Sequence, residues 1–84
     1  VEKQLAACVN LISGVRSIYR WNGETVDEQE DTLLIKCASH TVDALREFLA
    51  EKHPYDVPEI LVLDIDAKAS SSQYIDWVNS SCVI

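Results

Sequence analysis

Residues 51–65 read EKHPYDVPEILVLDI, and the change of character inside that stretch decides how the chain is organised. It leaves a helical pattern, passes Pro54 and Pro58, and enters an almost unbroken apolar run. Pro54 offers no backbone N–H and pushes His53 out of the α region, and Pro58 does the same to Val57. The reading is a stiff crossover from helix to strand. The run that follows, EILVLDI, is short enough for a strand covered on both faces, in a central or buried position. The same crossover carries His53, Tyr55, Asp56 and Glu59, polar side chains able to bind a ligand.

Upstream, SHTVDALREFLAEKH sets Val42, Leu45, Phe48 and Leu49 on one helical face. Ser39 or Thr41 is the candidate N-cap, and Asp43 falls in the first turn, where the helix dipole favours an anion. Before this helix, VRSIYRW and TLLIKCAS are strand-like and flank Asn22-Gly23, a hairpin turn signal, so residues from about 8 to 38 read as a long hairpin. In its second arm Leu33, Ile35 and Cys37 share one face, with Leu34 and Lys36 on the other, and both faces are expected to be covered. ETVDEQED brings Glu24, Asp27, Glu28, Glu30 and Asp31 together, and their repulsion predicts a solvated place at or near the hairpin tip. Val1 to Ala6 reads as the last turn of a helix entering the first strand. After the crossover, KASSSQ is a polar loop, and QYIDWVNSS supplies Tyr74, Ile75, Trp77 and Val78 to a final helix. The order is end of helix, β, β, α, β, α, in a single domain over residues 1–84.

Composition narrows the partners. With 84 residues and 48% hydrophobic side chains, burial demand is high for so short a chain, and the aromatic residues are expected to find part of their cover on another subunit. A net charge of -7 argues against nucleic acid and anionic membrane surfaces, which select clustered Lys and Arg. Cations or basic partners fit better. Three cysteines with no C-x-x-C spacing suggest free thiols in a reducing compartment, with a single bridge as the alternative, and a cytoplasmic location is expected. No apolar stretch approaches the roughly 18 residues of a membrane span, and no basic-then-apolar leader is present; a targeting segment upstream of Val1 stays open.

Signs of catalysis are weak. There is no G-x-S-x-G, no H-E-x-x-H, and with two glycines no phosphate-cradling loop, so no enzyme and no organic cofactor are expected. Cys37 and His40, in C-A-S-H, could form half a zinc or copper site, but no second pair completes it and a structural role is preferred. The acidic run lacks the alternating oxygen ligands and mid-loop Gly of an EF-hand. Tyr19 and Trp21 alternate on one strand and project to one side, where they can stack on a ligand or pack in an interface. His53 caps a helix C-terminus, and Glu59 is the nearby carboxylate that could join it in holding a cation.

Several stretches together, EKQLAACVNLI, SIYRWNGE, LLIKC, EKHPYDVPEILVLDI and YIDWV, resemble the CutA family of divalent-cation tolerance proteins over nearly the whole chain. The resemblance implies an α/β (α+β) ferredoxin-like sandwich of the PII-like type, assembled as a homotrimer with clefts between neighbours. It implies that the His53 to Ile60 turn lines such a cleft, with Tyr19, Trp21, Lys36, Tyr55 and Trp77 at the cleft or interface. Relative to the family pattern, the first strand and most of the first helix are expected ahead of Val1. The family's copper site of a Cys, a His and a Glu carries over only in Glu59: the Cys belongs to that first strand and the His position is Lys52, with His53 adjacent. The expectation is therefore weak binding of copper(II) or another divalent cation at His53 and Glu59. The alternative is an interaction or scaffold module, such as one that anchors acetylcholinesterase, or a small-ligand signalling trimer.

Overall fold

The structure, a computed structural model, describes residues 1–54 and 57–83. Its main feature is an antiparallel hairpin of β1 (Cys8–Trp21) and β2 (Glu24–Lys36). The turn between them is Asn22-Gly23, with φ of 51° and 78°, the doubly left-handed geometry that matches the twist of paired strands. It sets Trp21 opposite Glu24, and the register then runs through Tyr19–Val26, Ser17–Glu28 and Val15–Glu30. Between Val15 and Ile12 the ladder slips: Ser13 and Gly14 together oppose Asp31, a β-bulge that Gly14 permits at φ 73°. Beyond it the pairing resumes and ends at Cys8–Lys36.

Two helices follow. A 3-10 turn over Ser39–Thr41 leads into α1 (Val42–Lys52), with Asp43 in its first turn as expected. Thr41 occupies the N-cap but makes no capping bond; it is fully buried, and its hydroxyl donates to the Ala38 carbonyl at 3.0 Å. The proline boundary behaves as the sequence predicts: α1 stops at Lys52, and His53 is extended at φ -73° and ψ 137°, its N–H donating to Leu49 O at 2.8 Å. α2 (Ser72–Ser81) is capped by Ser71, whose hydroxyl accepts the Tyr74 N–H. The loop before it is tied by Asp66, whose Oδ1 accepts the N–H groups of Lys68 and Ala69.

The core is small. Ala7, Ala38, Val78 and Cys82 are buried together, with Cys37 packed against them, so the base of the hairpin meets α2. His40 Nε2 reaches the Cys82 carbonyl at 2.7 Å and ties the end of α2 to the start of α1, which gives His40 a structural role.

Four expectations are corrected. EILVLDI is not in a strand: no residue from 58 to 66 belongs to a regular element, and Leu61 and Leu63 are 78% and 86% exposed. A strand needs a ladder partner for its backbone groups, and among the described residues none pairs with this run. Val1 to Ala6 forms turns rather than helix: Gln4 sits at φ 60°, outside the right-handed helical region, with its N–H on Val1 O. The acidic run starts at the hairpin tip and is solvated as expected, but it is strand and not a segment between the arms. Glu24, Asp27, Glu28, Glu30 and Asp31 all lie within β2, because the two-residue turn lets the second strand begin at Glu24. The expected cover on both faces of β2 is also missing within one chain, where Leu33 and Leu34 are each about half exposed.

Candidate functional site

The period-two alternation of the hairpin sorts its polar residues. Ser17, Tyr19 and Trp21 of β1 share a face with Val26, Glu28 and Glu30 of β2; Arg16 and Asp27 lie on the other. On the second face the Arg16 guanidinium forks onto Asp27, with Nε to Oδ1 at 2.9 Å and Nη2 to Oδ2 at 2.6 Å. That contact raises the Arg16 pKa and lowers the Asp27 pKa. On the first face the Tyr19 hydroxyl donates to Glu28 Oε1, which holds the Glu28 carboxyl below its ordinary range. Glu30 is shifted the other way, first because its protonated form bonds to Glu28. Lost hydration adds to the shift, as do the charges of Glu28 and Glu59, while the Ser17 hydroxyl opposes it.

These two carboxylates are functional candidates that sequence reading passed over. The signal was present: Asn22-Gly23 fixes the register, and counting by twos from the turn puts Glu28 and Glu30 beside Tyr19 and Ser17. Glu59 comes within electrostatic reach of Glu30.

A broad open cleft of about 1990 Å³ gathers most of the expected site residues. Tyr19, Trp21, Lys36, His53 and Glu59 all line it, alongside Glu28 and Glu30. Trp77 does not; it sits 46% exposed on α2, with its ring 5.5 Å from that of Tyr74. Tyr55 and Asp56 lie outside the described residues. Lys36 is held at the base of the hairpin, where its ammonium donates to Asn10 Oδ1. His53 is half-buried at the end of α1, and Glu59 is exposed.

The donor set suits a cation, with an imidazole and several carboxylates on one cleft. It is not a complete cage within one chain, since no three His, Cys, Asp or Glu side chains among the described residues gather closely enough to hold a metal ion. Cys8, Cys37 and Cys82 are free thiols. No helix among the described residues is long and apolar enough to cross a membrane.

Comparison with known proteins agrees with the residue patterns. The divalent-cation tolerance protein CutA of Thermus thermophilus is 46% identical over 81 residues, covering 96% of this chain and 77% of the relative. The rice protein CutA 1, chloroplastic, is 38% identical over 96% of this chain, which spans only 45% of that relative. Among solved structures, the apo PII-like protein CutA of a Nostoc species superposes with a TM-score of 0.93 at 40% identity, covering 98% of this chain and 78% of that one. The fold is thus the α+β, PII-like one, with its antiparallel sheet and two helices. The model of the CutA1 divalent ion tolerance protein family matches residues 1–81, and the chain therefore belongs to that family.

Proposed function

We propose that this chain forms one domain and belongs to a non-enzymatic homotrimer that binds divalent cations, copper(II) among them, in a cleft between copies. The observation that carries this reading is that His53 and Glu59, an imidazole and a carboxylate, line one cleft in a member of a divalent ion tolerance family. Two ligands hold such an ion weakly, so the neighbouring copy supplies the rest of the site. The free thiols fit a reducing compartment, and the reading places the protein in the cytoplasm.

Copper titration by calorimetry tests the metal reading. Wild type is expected to bind at micromolar or weaker affinity, with His53→Ala and Glu59→Ala each weakening it roughly tenfold or more. Undiminished binding in both variants overturns the assignment of these residues. A second reading is an interaction module, in which the exposed aromatic side chains Tyr19 and Trp21 of the hairpin contact a protein partner. No copper binding in any variant would favour it.

A further inference from the structure

We draw no further inference here: the strongest candidate, the broad apolar groove lined by β2, residues 59–65 and both helices, has nothing in the structure to show what covers it.

Discussion

Glu30 carries a cost at neutral pH that its neighbours impose. Its protonated form bonds to Glu28, and ionisation sets it against the charges of Glu28 and Glu59, so its pKa in the folded chain lies above the unfolded value. Between that raised value and the ordinary glutamate value of about 4.3, the folded state binds more protons than the unfolded one, and stability rises as pH falls. Glu30→Gln supplies a permanent donor to Glu28 without the charge. It should raise the urea midpoint at neutral pH and flatten its pH dependence in that window; an unchanged slope would show that Glu30 is not its source. Asp27 runs the opposite way. Its lowered pKa gives stability that is present above about 3.9 and lost as pH falls through the folded value, so Asp27→Asn should remove part of the acid limb of the unfolding curve. Both Arg16 and Asp27 are exposed, and the effect should fade in high salt. The sequence held the information for these pairs, but it becomes legible only after each acid is assigned to a face of β2. Treated as one repelling run, the same residues point to a solvated tip. The end of α1 before His53 was legible for a different reason, since Pro54 marks a boundary whatever lies around it.

At the scale of elements, what the sequence specifies locally is what it predicts well. The hairpin follows from Asn22-Gly23, α1 ends where Pro54 requires, and α2 starts at a serine cap. The turn offers a direct test. Gly23 has φ 78°, and a Cβ added there meets nothing within 4 Å, so any penalty for substitution comes from the backbone and not from crowding. Gly23→Ala should cost about 1–2 kcal/mol, and Gly23→Asn distinctly less, because asparagine tolerates the left-handed region. Urea unfolding of the two variants checks this, and equal midpoints would mean that the turn relaxes out of the left-handed geometry. Residues 59–65 show the limit of local reading. Their β-branched, apolar composition describes a strand well, yet being in a sheet is a relation between two segments. Composition names one partner of a ladder and not the other.

At the scale of the whole molecule, the long hairpin outgrows the core. Fourteen residues of β1 extend about 46 Å at the rise of a strand, which equals the longest dimension of the chain, 45 Å. The buried cluster sits at one end, around Ala7 and Ala38, and in the far half Ile18 and Trp21 are more than half exposed, with Tyr19 partly so. Exposed aromatic and β-branched side chains on a rigid arm are the composition of an interface and a liability in a monomer. The prediction is that sedimentation equilibrium returns three times the subunit mass of 9.4 kDa at micromolar concentration. A monodisperse monomer would sink both the trimer and any site shared between chains. Trp21 provides the finer test, being 55% exposed in the isolated chain at the end of β1. If it anchors the contact, Trp21→Ala should weaken assembly by about 2 kcal/mol or more, while Trp21→Phe recovers most of the loss. Because Trp21 lies far from the buried cluster, the alanine variant should keep the far-ultraviolet circular dichroism of the wild type at high protein concentration. Weaker association with that signal unchanged locates Trp21 in the interface, and a loss of both would mean that the hairpin itself depends on the indole.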